Sequence, residues 1–148
     1  MKYKFTPAKN PRVLIIQKVY GQLINKDQKL IFEKHRFKKF IKDVVLGTIE
    51  RLEIINEEIK NHLDNDLNMK NLDKVFQVII KCAIFEFLYK PKTSINIIIK
   101  EYLKASNFFI DDEKTKYLNA LLDKISKKIR ISNGWSWINK KVFSNNIK

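Results

Sequence analysis

Lys116-Tyr117-Leu118-Asn119-Ala120-Leu121-Leu122-Asp123-Lys124 is the stretch on which the reading of the fold turns. At about 100° per residue, Tyr117, Leu118, Leu121, Leu122 and Ile125 fall within one arc, so the segment reads as a helix whose apolar stripe faces a core. Asn119 and Asp123 stand four residues apart on its flank, where an amide and a carboxylate can reach each other or nearby backbone. Lys116 points away from the stripe, and the edge beside the core is expected to be polar and basic.

The rest of the chain reads as helices too. Asn10 before Pro11 is a helix cap with proline at the first helical position, and Val13, Ile16, Val19, Tyr20, Leu23 and Ile24 then recur at spacings of three and four. Arg12 and Lys18 fall on or near the polar side of that helix. Phe37, Phe40, Ile41, Val44, Val45, Leu52, Ile55, Ile59 and Leu63 keep helical phase as one long helix or two, with Gly47-Thr48 as the weak point. Asp64-Asn65-Asp66 is the best internal boundary. Val75 to Leu88 is apolar enough for a buried helix, Ile95 to Phe109 gives another, and Asp112 is placed to cap the helix of the opening stretch. Ile95, Ile97, Ile98 and Ile99 would suit a strand, but no partner strand is evident. The expected fold is therefore all-α. It comprises a helical domain over residues 1–130, with subdomains at about 10–63 and 67–130, and a basic tail over 131–148 that holds Trp135 and Trp137.

The 148 residues suffice for one ordinary domain. With 45% apolar and 31% charged residues, the chain can bury a core and does not have a disordered composition. The net charge of +14 is unevenly placed: residues 1–26 and 126–148 carry +6 each and no acid, while residues 27–125 hold all sixteen acids, from Asp27 to Asp123, and balance to only +2. An AT-rich genome would enrich lysine everywhere. Exclusion of carboxylates from both ends instead suits contact with phosphates, whose counterion release a nearby acid opposes.

Other chemistries find little support. Cys82 is the lone cysteine, excluding an intrachain disulfide and reading as a core residue in a reducing compartment. His35 and His62 are far apart, no Gly-rich phosphate loop is present, and Asp111-Asp112-Glu113 suits the positive end of a helix dipole better than a metal. Catalysis, cofactor and metal are not expected. Neither a membrane span nor a signal peptide is read, so the expected location is the cytoplasm.

Four ordered segments carry a resemblance. The opening stretch resembles the K-[FY]-[VI]-N-[GA]-[VL]-L-D-K motif of the NusB family of bacterial transcription antitermination factors, and Ala83-Ile84-Phe85-Glu86-Phe87-Leu88 is similar to its A-[IL]-[YF]-E-L. Ile99-Lys100-Glu101-Tyr102-Leu103 resembles its I-N-E-[AY]-V, and Ile15-Ile16-Gln17-Lys18-Val19-Tyr20 the A-[LV]-Q-x-L-Y of its first helix. The likeness covers about residues 10 to 130. The chain departs from the family where Ala8 and Asn10 replace arginines of an Arg-rich opening, where Lys100 replaces an asparagine, and where Ser94 stands in place of a common proline.

The resemblance implies a compact bundle of about six or seven helices in two packed subdomains, without catalysis. It further implies binding to the boxA element of ribosomal RNA leader transcripts, jointly with the small-subunit ribosomal protein called NusE, in a complex that lets RNA polymerase read through termination signals. Single-stranded RNA is held by cations on phosphates, flat side chains under bases and amides on base edges. Lys9, Arg12 and Lys116 are the candidates for phosphate, Tyr20 and Tyr117 for stacking, and Gln17 and Asn119 for polar readout, on a surface formed by the first helix and the opening stretch side by side. The competing expectation for Tyr20 and Tyr117 is core packing, for Asn119 a structural hydrogen bond, and for Glu86 a buried partner. At the level of function, the alternative is a protein-interaction module that mainly holds NusE. A third possibility, the NusB-like appendage of ribosomal RNA methyltransferases, would lead into a catalytic domain with a Gly-rich cofactor loop, which these residues do not contain.

Overall fold

The computed structural model describes residues 9–62 and 72–132, and within them the chain forms six helices: α1 (Pro11–Ile24), α2 (Lys38–Glu50), α3 (Leu52–His62), α4 (Lys74–Tyr89), α5 (Ile95–Ser106) and α6 (Asp112–Ser132). No strand occurs among the described residues. The Asp64-Asn65-Asp66 boundary and the tryptophan tail lie outside them.

The helix α4 is apolar almost all round, as a helix must be to sit at the centre of a bundle. Phe76, Val78, Ile79, Ile80 and every residue from Cys82 to Phe87 are buried, and α4 packs against each of the other five helices. Around it, α1 packs on α2 and α5, α5 packs on α6, and α3 packs on α2 and α6. Ile98 and Ile99 of the isoleucine-rich segment enter the core while Ile97 stays exposed, which is helical rather than strand alternation.

Local chemistry sets the helix ends. The Asn10 side chain accepts hydrogen bonds from the backbone N–H of Arg12 at 2.9 Å and of Val13 at 3.2 Å, and Ser94 caps α5 by accepting from Ile97 N–H. At α6 the cap is Asp111 rather than the expected Asp112. The Asp111 carboxylate accepts from Lys114 N–H at 2.8 Å, leaving Asp112 and Glu113 in the first turn, where the dipole favours acids. The α5 helix ends at Ser106, three residues short of Phe109.

The expected weak point at Gly47-Thr48 is instead a tight contact. Both residues are buried inside α2, and the chain breaks at Arg51, whose backbone N–H bonds to Gly47 O. A methyl group on Gly47 would lie 2.3 Å from Phe85 Cζ. The glycine is therefore there to let α2 approach the ring, not to bend the helix.

Candidate nucleic-acid interface

The arc predicted for α6 holds at four positions and fails at one. Leu118, Leu121, Leu122 and Ile125 are buried, while Tyr117 is 44% exposed. Its ring lies against Phe76 of α4, centroids 5.7 Å apart and planes at 24°, so α4 supports the ring at the rim of the core. Lys116 and Asn119 beside it are exposed. Asn119 also lines an open groove between α5 and α6 with Asn96, Lys100, Lys104, Asn107 and Asp123. Asp123 is engaged with Lys127, one turn on, at 3.1 Å.

On α1, Gln17, Tyr20 and Ile24 are exposed and, at spacings of three and four, form one outer stripe. Lys9, just ahead of the helix, is exposed as well. The neighbouring Lys18 is folded back: its ammonium donates to Ile31 O at 2.6 Å and to Glu33 at 3.1 Å, and lies over the Phe32 ring. That ion pair, after a backbone hydrogen bond within Glu33 itself, holds the Glu33 carboxyl below its ordinary value.

Arg12 is a correction. Expected at a phosphate, it is buried, with Nε donating to Oε2 of Glu86 at 3.0 Å and Nη2 donating to Oε1 at 2.7 Å. Its guanidinium lies over the ring of Phe40, 5.0 Å from the centroid, and over that of Tyr102, 5.4 Å away. Burial opposes its charge, but the hydrogen bonds and charge of Glu86 outweigh it, holding Arg12 above its ordinary value. The signal was in the phase, because Arg12 stands four residues before Ile16 and shares its arc. Glu86, fully buried, has the partner that a carboxylate at its position requires.

The two helices expected to carry the surface, α1 and α6, are not each other's principal neighbours. The principal neighbours of α1 are α2, α4 and α5, and those of α6 are α3, α4 and α5. Along α4, the Phe76 that Tyr117 touches and the Glu86 that Arg12 touches stand ten residues, about 15 Å, apart.

The sequence places this bundle. The NusB family model matches residues 8–127. The chain belongs to the NusB family. A transcription antitermination protein NusB from Lysinibacillus sphaericus is 25% identical over 114 residues, which cover 77% of this chain and 82% of that protein. The protein of the same name from Rickettsia bellii is 33% identical over 90 residues, 61% of this chain and 55% of that protein; with the Rhizobium rhizogenes protein the shares are 62% and 57%. The match thus spans little more than half the length of the last two. In fold, the chain is similar to T. maritima NusB, with a TM-score of 0.69 over 83% of this chain and 92% of that one at 20% identity.

NusB-family membership gives the all-helical architecture and a place among transcription antitermination proteins. No helix among the described residues is long and apolar enough to cross a membrane.

Proposed function

We propose that this NusB-family protein is a transcription antitermination factor that binds the boxA element of ribosomal RNA leader transcripts together with NusE, the small-subunit ribosomal protein, within the RNA polymerase antitermination complex. Its work is binding, carried out in the cytoplasm without a catalytic step. The observation that carries this reading is the α6 edge, where Tyr117 is braced by Phe76 yet 44% exposed, between the exposed Lys116 and Asn119. A flat ring held rigid on one side can take a base on the other, while an adjacent ammonium meets phosphate and an amide reads a base edge. Lys9, Gln17 and Tyr20 on and before α1 supply a second set of contacts. Arg12 acts as a positioning residue that fixes α1 on α4, not as a phosphate ligand.

A second reading has its own observation. Tyr20 and Ile24 on α1 are 38% and 57% exposed and one turn apart, an apolar outer stripe suited to a protein partner such as NusE. The deciding experiment measures binding of boxA-like RNA by the protein alone and with NusE across a salt series. Sequence-preferring, salt-dependent RNA binding supports the antitermination-factor reading. NusE binding without RNA preference in either condition supports an interaction module.

A further inference from the structure

Averaged over Asp27 to Asp123 the charge is almost balanced, but the structure concentrates a positive ridge within that span. The run Lys34-His35-Arg36-Phe37-Lys38-Lys39-Phe40-Ile41-Lys42 contains five lysines and arginines and no acid. It leads into α2 and covers its first turns. Lys34, Arg36, Lys38, Lys39 and Lys42 are all exposed, and among the described residues none of them forms an ion pair. The bordering acids are occupied elsewhere: Glu33 by Lys18 at 3.1 Å, Asp43 by Lys90, and Glu50 by Arg51 at 3.6 Å. The ridge therefore keeps its charge uncompensated, adding to the positive end of the α2 dipole.

An aromatic surface goes with the charge. Phe37, 45% exposed, carries the Arg36 guanidinium over its ring at 5.4 Å. Beyond Lys39 and Lys42, the groove between α2 and α4 is floored by Phe85 and Tyr89, with the Arg51 guanidinium 4.7 Å above the Tyr89 ring. The cations at the start of α2 flank one exposed ring, Phe37, and the groove they lead to ends at the exposed Tyr89 of α4, so phosphate contacts and stacking platforms lie together. A single strand of RNA uses both features at once, phosphates against the cations and a base against Phe37.

We propose that the α2 ridge, Lys34, Arg36, Phe37, Lys38, Lys39 and Lys42, is a further single-stranded RNA contact surface, separate from α6 and α1, reading no sequence and engaging RNA that extends beyond the α6 site. It shares with the function proposed above only the class of ligand. Neither its residues nor its test depends on Tyr117.

The test uses the full chain and three probes: a short boxA-like RNA, phosphatidylserine-containing vesicles, and an oligouridylate of roughly 30 nucleotides, longer than one single-strand site of about 4–16 nucleotides. Replacing three exposed lysines, Lys38→Ala, Lys39→Ala and Lys42→Ala together, should weaken the oligouridylate about tenfold or more at low salt. It should also lower the salt slope by about two units, since each single-strand phosphate contact contributes about 0.7. The short RNA should be nearly unaffected. Phe37→Leu should weaken the long RNA several-fold and Phe37→Tyr should restore it, which a purely electrostatic or structural role would not produce. Unchanged oligouridylate affinity and slope in the triple variant overturns the proposal, as does a variant that keeps RNA binding but loses binding to phosphatidylserine-containing vesicles. Tyr117→Ala, measured on the short RNA, reports on the α6 site separately, so either reading can fail while the other stands.

Discussion

Arg12 and Glu86, 74 residues apart in sequence, are joined in the core by two hydrogen bonds of 3.0 and 2.7 Å, with the guanidinium over the rings of Phe40 and Tyr102. The pair ties α1 to α4 and, through the rings, to α2 and α5. Taking two charges out of water is costly, and the pair compensates only while both partners remain. Glu86→Ala should therefore destabilise the fold by about 3–5 kcal/mol in urea denaturation. Arg12→Met combined with Glu86→Leu should recover most of that loss, because apolar groups of similar volume leave no buried charge behind. A double variant no more stable than Glu86→Ala would show that the pair's geometry, not its desolvation, dominates.

The same burial separates Arg12 from RNA. Arg12→Ala should leave the salt slope of RNA binding unchanged, once protein unfolded by the substitution is accounted for. Lys116→Ala, at an exposed position, should lower the slope by about 0.7. A slope that drops for Arg12 and not for Lys116 would return Arg12 to the interface.

Gly47 sets the distance between α2 and α4. Adding a methyl group normally favours a helix by about 1 kcal/mol, but here it would meet Phe85 Cζ at 2.3 Å, and overpacking costs about 1–3 kcal/mol. Since the contact is with a ring inside the core, the clash should win. Gly47→Ala should lower the thermal midpoint, and adding Phe85→Leu should raise it again. Stabilisation by Gly47→Ala alone would mean that the ring moves freely.

Much of this fold was legible because residue type and position agreed. Asn10-Pro11 has the chemistry of a helix start and occupies one, and the stripe from Leu118 to Ile125 is apolar at the angles that face α4. Legibility failed where the two conflicted. Arg12 has a surface residue's composition at a core angle, and only its long-range partner, 74 residues on, resolves the conflict. Gly47 has a helix breaker's composition, while the cause of its presence is a ring on another helix. Tyr117 lay on the predicted arc, but at its edge, where the support of one ring decides between core and rim. The ridge on α2 was hidden by averaging charge over a long acidic and basic span. It appears once the bordering acids are seen to be paired with Lys18, Lys90 and Arg51.

Alkaline pH should weaken the fold in a defined window. Burial first, and then the charge of Glu86, push the Cys82 thiol and the Tyr102 phenol above their ordinary values of 9.0 and 10.0. Both groups thus keep their protons when folded and release them when unfolded. Stability from this source is fully present below about pH 9 and falls as pH rises past it, because the unfolded state then binds fewer protons than the native one. Urea midpoints between about pH 7 and pH 10.5 should trace this decline, and Cys82→Ala should delay its onset towards the phenol's range. In the native protein the thiol should resist a disulfide reagent near pH 8 and react only after unfolding.

The α6 edge offers the sharpest test of function, because the ring at its centre can be removed without opening the core. Tyr117 touches Phe76 on one side and water on the other, whereas Leu118 and Leu122 beside it are fully buried. Tyr117→Ala should consequently leave the circular dichroism spectrum intact and cost little stability. If a base stacks on the exposed side, the same change should weaken boxA-like RNA by about 1–3 kcal/mol, with Tyr117→Phe nearly neutral because stacking needs the ring and not the hydroxyl. The loss should be largely independent of salt, in contrast to Lys116→Ala, since stacking releases no counterions. Full RNA affinity in a folded Tyr117→Ala protein would remove the ring from the interface, leaving α1 and its outer stripe to carry recognition.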